Sequence, residues 1–211
     1  MQLQSELEHL NQMLLRMADI VQHNIGMAFD VYKNHTETMM INDDIVDQYE
    51  RLIEEICLDI LIKERPYAKD LREVSGILKL IADLERIGDH AEDIMEFNYK
   101  LKDIKIPQIP EIEDMVAKTQ KMVTLAIESF IKKDIKTAEV VILADDEVDE
   151  IYSTMINDLI NPKDDNKEWL AFAIYTTLVV KYIERIADHA VNIAEWVIYI
   201  VNGFHKDKKI Y

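Results

Sequence analysis

The sequence ERIGDHAEDI at residues 85–94 returns almost unchanged as ERIADHAVNI at residues 184–193. Seven of the ten positions are identical, and the offset between the two segments is 99 residues. A second pair lies upstream, where NDDIVDQY at residues 42–49 matches ADDEVDEI at residues 144–151 with an offset of 102. Two repeats in the same order indicate a duplicated domain, because a period of about 100 residues is too long for one unit of a solenoid.

Hydrophobic residues in and around the repeat recur at steps of three and four, which is the period of an amphipathic helix with one buried face. The chain has only 4 Gly and 4 Pro, too few for the many turns of an all-β protein. Pro66 ends the second predicted helix, and Pro107 and Pro110 mark a linker between the halves. We predict an all-α protein of two tandem, pseudo-symmetric three-helix bundles, residues 1–106 and residues 107–211. The predicted buried seam of the third and sixth helices consists of Leu84, Ile87, Ala91, Ile94, Ile183, Ile186, Ala190 and Ile193.

The formal net charge of −17 disfavours a nucleic-acid partner, because phosphate contacts need clustered Lys and Arg. It also disfavours adsorption to an anionic membrane, and it suits bound cations, a basic protein partner or a solvated acidic surface. Cys57 is the only cysteine, so the chain forms no intrachain disulfide. The N-terminal residues lack a signal-peptide pattern, and the longest uncharged apolar stretch, residues 169–180, is too short to span a bilayer. We therefore expect a cytoplasmic protein that does not insert into a membrane.

Carboxylates lie beside the predicted seam in both halves. Glu85, Asp89 and Asp93 are four residues apart and are neighbours on one helix face, where each like-charge pair costs roughly 0.2–0.5 kcal/mol without a compensating cation. Rows of this kind offer oxygen ligands that suit Mg²⁺, Mn²⁺ or iron. Asp43 and Asp47 of the second helix extend the set to five, which suits a multinuclear site. The corresponding residues of the second half are Glu184, Asp188, Asn192, Asp145 and Asp149.

A purely structural interpretation explains the same carboxylates equally well at this stage. Arg86 lies three residues before Asp89, so the two side chains can form a solvated salt bridge. The second half repeats this spacing with Arg185 and Asp188. Spacing alone therefore leaves metal binding and ion pairing as alternatives.

The sequence offers few side chains for catalysis. It contains no nucleophile elbow, no phosphate-cradling glycine loop and no dinucleotide fingerprint, so we expect a protein that is not an enzyme. His90 and His189 directly follow the aspartates of the repeat and point about a quarter-turn away from them. Both histidines are therefore either additional metal ligands or polar packing residues.

Two long segments resemble the PhoU family of phosphate-response regulators. Residues 63–94 contain its P-x-x-x-D-L-R segment followed by an L-E-R-I-G-D helix, and residues 183–203 contain its E-R-I-x-D-x-x-x-N-I-x-E pattern and closing Y-x-x-x-G. The resemblance spans essentially the whole chain. Two departures are relevant: Asp93 stands where the family usually has Asn, and NPKDDNKEWL replaces the P-x-x-x-D-L-R segment before the sixth helix.

The resemblance implies two pseudo-symmetric three-helix bundles whose E-x-x-x-D motifs bind metal, with multinuclear iron or zinc clusters known in the family. The first implied site uses Glu85, Asp89 and Asp93 with Asp43 and Asp47. The second implied site uses Glu184, Asp188 and Asn192 with Asp145 and Asp149.

The resemblance also implies a regulator that couples an ABC-type phosphate transporter to a two-component sensor kinase and represses the phosphate-starvation response when phosphate is plentiful. It would act through protein contacts at the cytoplasmic face of the membrane, and its amphipathic helices allow a homodimer. One alternative is a metal storage or metal-dependent hydrolytic protein that uses the same carboxylates. Another is a helical adaptor in which the carboxylates have only a structural role.

Overall fold

The computed structural model describes residues 2–34, 41, 44–101, 109–161, 167–205 and 208–209. These residues form six helices and two strands of two residues each: α1 Gln2–Asn34, α2 Asp44–Lys63, α3 Lys69–Leu101, α4 Pro110–Lys132, α5 Ile135–Ile160, α6 Lys167–Asn202, β1 Phe204–His205 and β2 Lys208–Lys209. The strands pair antiparallel, with Phe204 opposite Lys209. The predicted all-α fold is confirmed, and the short C-terminal strand pair was not predicted.

Local sequence explains the tight corner between α4 and α5. Lys133 adopts φ 51° in the left-handed region and ends α4, while the backbone N–H of Asp134 donates to the carbonyl of Ser129. The Asp134 carboxylate then caps α5 by accepting from the backbone N–H of Lys136 at 3.0 Å and from the hydroxyl of Thr137 at 2.7 Å. This corner turns α5 back along α4 within the second bundle.

The second helix starts later than its hydrophobic period suggests. The period predicts a helix from about Glu37, but Ile41 is not helical and α2 begins at Asp44. Asp44 and Asp47 occupy the first turn, where negative charge interacts favourably with the partial positive charge of the helix N-terminus.

The predicted grouping into two bundles is confirmed, with α1, α2 and α3 in the first and α4, α5 and α6 in the second. The most extensive helix–helix contact joins α3 to α6 and therefore joins the bundles. The two helices run antiparallel, since Ser75 lies 3.4 Å from the hydroxyl of Tyr199 at one end and Phe97 packs on Tyr175 towards the other. All eight residues of the predicted seam are fully buried.

The domain boundary predicted between residues 106 and 107 lies outside the described residues, because the structure describes nothing between Leu101 and Ile109. The division of the chain at that point therefore stays a prediction. None of the helices in the described ranges is long and apolar enough to cross a bilayer.

The α3–α6 contact requires a residue without a side chain at position 76. A Cβ atom built on Gly76 would lie 2.3 Å from Cγ1 of Ile200, whereas one built on Gly26 of α1 would meet no atom within 4 Å. We predict that Gly76→Ala destabilises the protein by about 1–3 kcal/mol through overpacking. Gly26→Ala is the matched control and should stabilise it by about 0.5–1 kcal/mol through helix propensity. Thermal unfolding of both variants checks this, and equal shifts in Tm would contradict the close approach.

Candidate metal centre

Three carboxylates from two helices converge beside the first half of the seam. Asp47 lies on α2, and Glu85 and Asp89 lie one turn apart on α3. One oxygen from each of the three side chains lies within 4.8 Å of the others. Among the described residues, this is the only set of three potential metal-ligating side chains that come so close together. The structure thus brings these three predicted ligands close together, whereas Asp43 lies outside the described residues.

Glu50 belongs to the same acidic surface, although the repeat did not indicate it. Burial raises the pKa of Glu50, and the carboxylate of Asp47 one turn earlier raises it further. Burial likewise raises the pKa of Glu85, to which Asp89, Glu50 and Asp47 contribute by charge repulsion. In the second half, Tyr152 occupies the position that corresponds to Glu50, so comparison of the two halves could not identify Glu50. We call Asp47, Glu50, Glu85 and Asp89 the first cluster.

Arg86 partly neutralises the first cluster. Its Nε lies 3.3 Å from Oε2 of Glu85, and its Nη1 donates to Oδ2 of Asp89 at 2.7 Å. The predicted ion pair with Asp89 is therefore confirmed. The arginine side chain is 59% exposed. An ion held by these carboxylates would have to displace it.

A second acidic surface lies between α5 and α6. Asp145 and Asp149 of α5 face Glu184 and Asp188 of α6, and we call these four residues the second cluster. Burial raises the pKa of Asp145 from its ordinary value of 3.8 to about 6, and the charges of the other three carboxylates add to the shift. This cluster is the more open one, because no three of its oxygens come as close together as those of the first.

The positively charged side chain that pairs with the second cluster is Lys181, not Arg185 as the spacing suggests. Lys181 donates to Oε2 of Glu184 at 2.6 Å, and its ammonium lies over the ring of Tyr152. Within the described ranges, Arg185 forms no ion pair with Asp188, so that prediction was wrong. The first half has Ala82 at the position of Lys181, which explains why comparison of the repeats missed this ion pair.

Asp93 and Asn192, which were also predicted as ligands, contact residues across the interface between α3 and α6. Asp93 accepts a hydrogen bond from the hydroxyl of Tyr182 on α6, and burial raises its pKa while this hydrogen bond lowers it. Asn192 donates to Oδ1 of Asp83 on α3 at 3.1 Å. A helix turns by about 100° per residue, so eight residues after Glu85 or Glu184 the side chain has rotated by about 80° from the cluster towards the seam.

Both histidines of the repeat also lie at the interface between α3 and α6. The rings of His90 and His189 face each other with centroids 5.5 Å apart. His189 Nδ1 lies 2.8 Å from Oδ1 of Asp83, and the ring of Tyr182 packs on His90 at 5.1 Å. Burial lowers the pKa of His90 to about 4, and the neighbouring His189 contributes. The packing interpretation therefore describes both histidines better than the ligand interpretation does.

The donor set of the first cluster fits a small divalent cation. Carboxylate oxygens bind Mg²⁺ or Zn²⁺ at roughly 2.0–2.2 Å, so two ligand oxygens on one ion lie at most about 4.4 Å apart. The oxygens of Asp47, Glu85 and Asp89 lie within 4.8 Å of one another, and small side-chain rotations close that difference. Oxygen ligands alone favour hard or borderline ions such as Mg²⁺, Mn²⁺ and iron, and they are also acceptable to Zn²⁺.

Asp145 provides a test of the charge repulsion in the second cluster. Because its pKa is raised to about 6, the folded chain binds the proton more tightly than the unfolded chain does. The ionised carboxylate therefore costs stability as the pH rises above about 4, and the full cost is present above about pH 6. In chelator, Asp145→Asn should raise the free energy of unfolding at pH 7.5 by about 1 kcal/mol, and the gain should shrink towards pH 4. Thermal unfolding of this variant is compared with that of Glu150→Gln, a change at an exposed position of the same helix. Equal gains in both variants would contradict the prediction.

Comparisons with known proteins match the duplicated pattern. The PhoU domain matches this chain twice, at residues 14–97 and at residues 112–197. The chain is 31% identical to the phosphate-specific transport system accessory protein PhoU homolog of Clostridium acetobutylicum, over 97% of this chain and 96% of that protein. It is 34% identical to the homolog of the same name from a Synechocystis species, over 93% of this chain and 90% of that protein.

Solved structures show the same architecture. The crystal structure of PhoU from Pseudomonas aeruginosa superposes with a TM-score of 0.84 and 31% sequence identity, covering 95% of this chain and 99% of that chain. The phosphate transport system regulatory protein PhoU from Streptococcus pneumoniae superposes with a TM-score of 0.88 at 24% identity, over 98% of this chain and 100% of that chain, and shows the shared fold. Both halves match, and the similarity runs through the whole chain. The chain therefore belongs to the PhoU family.

Proposed function

We propose that this protein is a non-enzymatic regulator of phosphate uptake and of the phosphate-starvation response. The observation that carries the proposal is the match over 97% of the chain to a relative named as an accessory protein of a phosphate-specific transport system. In this role it contacts an ABC-type phosphate transporter and a sensor kinase at the cytoplasmic face of the membrane. The acidic helical faces suit basic surfaces on such partners, since complementary charge speeds association.

Both carboxylate clusters are part of the proposal as cation sites. Two observations support this: oxygens from two helices converge at the first cluster, and burial together with the neighbouring carboxylates raises the pKa of Asp145 in the second cluster to about 6. A bound cation supplies positive charge and fixes the relative positions of two helices. Glu85 and Asp89 with Asp47 hold it in the first bundle, and Glu184 and Asp188 with Asp145 and Asp149 hold it in the second. Arg86 and Lys181 are the side chains that such an ion displaces.

The regulatory role is tested in a strain of the source organism that lacks this protein. We expect a phosphate-starvation reporter to become active in phosphate-rich medium in that strain, and the intact chain to restore repression. Phosphate uptake measured in the same cultures shows whether transport changes with the reporter. Unchanged reporter activity and unchanged uptake in the deletion strain would contradict the role.

Metal binding is tested separately by comparing two fourfold variants. Glu85→Gln/Asp89→Asn/Glu184→Gln/Asp188→Asn removes the central ligands of both clusters. Its matched control, Glu8→Gln/Glu55→Gln/Asp59→Asn/Glu139→Gln, removes the same charge from exposed positions on three helices.

We expect iron, zinc or manganese to copurify with the wild type and with the control, and to be absent from the cluster variant, in protein prepared without chelator or nickel resin. Because a ligand that binds only the folded state stabilises it, chelator should lower Tm in the wild type and the control alone. Equal metal content in all three proteins would contradict the proposed cation sites and would leave the proposed regulatory role intact.

A further inference from the structure

We propose that Asp83 of α3 is a positioning residue for the second cluster, although it lies in the first bundle. It holds one turn of α6 and so sets the position of Asp188 relative to the carboxylates of α5. The consequence for cations rests on the proposed function, whereas the consequence for the helix itself does not.

The contacts of Asp83 reach across the seam to α6. Its side chain is only 13% exposed, and its Oδ1 lies 2.8 Å from Nδ1 of His189 and 3.1 Å from Nδ2 of Asn192. An ionised carboxylate only accepts hydrogen bonds, so His189 carries a proton on Nδ1 and donates it to Asp83. Hydrogen bonds with an ionised partner are stronger than neutral ones, and this pair is partly shielded from water.

These two contacts act on the same stretch of α6 as the second cluster. His189 is the residue after Asp188, and Asn192 follows Asp188 by one helical turn. A rotation or a slide of α6 that carries Asp188 away from Asp145 would have to break both hydrogen bonds. Asp83 thus resembles an outer-shell partner at a metal site, which orients a ligand without touching the ion itself.

The first cluster lacks an equivalent carboxylate. The repeat places Tyr182 at the position of Asp83, at the offset of 99 residues. Tyr182 supports the other half through a hydrogen bond to Asp93 and through ring packing on His90. The two clusters are thus held by different chemistry, and loss of Asp83 should affect only one of them.

The test must separate the charge of Asp83 from its hydrogen bonds, because Asp83 contacts two residues that closely follow Asp188. Asp83→Asn removes the negative charge but keeps an acceptor oxygen, whereas Asp83→Ala removes both. Loss of charge alone predicts equal effects of the two variants on the second cluster, and positioning through α6 predicts a larger effect of Asp83→Ala.

Mn²⁺ titration of variants that keep only one cluster measures the affinity of each cluster separately. Glu85→Gln/Asp89→Asn leaves the second cluster, and Glu184→Gln/Asp188→Asn leaves the first. We expect Asp83→Ala to weaken Mn²⁺ binding at the second cluster by about tenfold or more, as is typical of outer-shell partners, and to leave the first cluster unchanged. Asp83→Asn keeps the shape and one acceptor oxygen, so its effect should be smaller. Asp59→Asn, an exposed change on α2, is the charge control.

A metal-free measurement completes the test. Amide hydrogen exchange in chelator should be faster at residues 184–195 in Asp83→Ala than in the wild type or in Asp59→Asn, because this stretch of α6 loses its anchor. Absence of Mn²⁺ binding at both clusters of the wild type would refute the proposed cation sites, and hydrogen exchange would then decide the positioning role by itself. Unchanged exchange at residues 184–195, or an equal or larger loss of Mn²⁺ affinity at the first cluster, would overturn the role of Asp83.

Discussion

The antiparallel contact between α3 and α6 is the constraint on which the rest of the molecule depends. The apolar seam residues of both helices are fully buried, and the contact requires the backbone at Gly76 to approach Ile200 closely. Interiors at this packing density tolerate little movement, so the contact fixes both the spacing and the register of the two bundles. Polar contacts such as the pairing of Asp83 with His189 also join the two halves at this interface.

Because the helices are fixed in place, the carboxylates of each cluster cannot move apart to reduce their mutual repulsion. Partial burial raises the pKa of Glu85 and of Asp145, so each cluster costs folding free energy unless a cation is near. The chain supplies one to each cluster, Arg86 in the first and Lys181 in the second. A metal ion would have to displace these side chains, whose own ion pairs are partly exposed and individually weak.

The parts of the structure that follow from local pattern could be predicted from the sequence. Apolar periodicity and the duplicated decapeptide were sufficient for six helices, two bundles and the buried seam, because each depends on residues a few positions apart. The i, i+4 spacing likewise brought Glu85 beside Asp89. The contacts of Asp83 and Tyr182 could not be predicted, because they depend on the antiparallel register of α3 on α6. Glu50 was missed for a different reason, since its repeat position holds Tyr152.

Duplication therefore accounts for the architecture of this chain better than for its chemistry. Apolar seam positions in the two halves carry equivalent side chains, because both must fill the same interface. Positions beside them have diverged, among them Glu50 and Tyr152, Ala82 and Lys181, Asp83 and Tyr182, and Asp93 and Asn192. Each difference changes which charge or hydrogen bond stands next to a cluster. The clusters consequently differ in oxygen spacing, in their neutralising cation and in their anchor across the seam, so a pseudo-symmetric fold presents two chemically unequal sites.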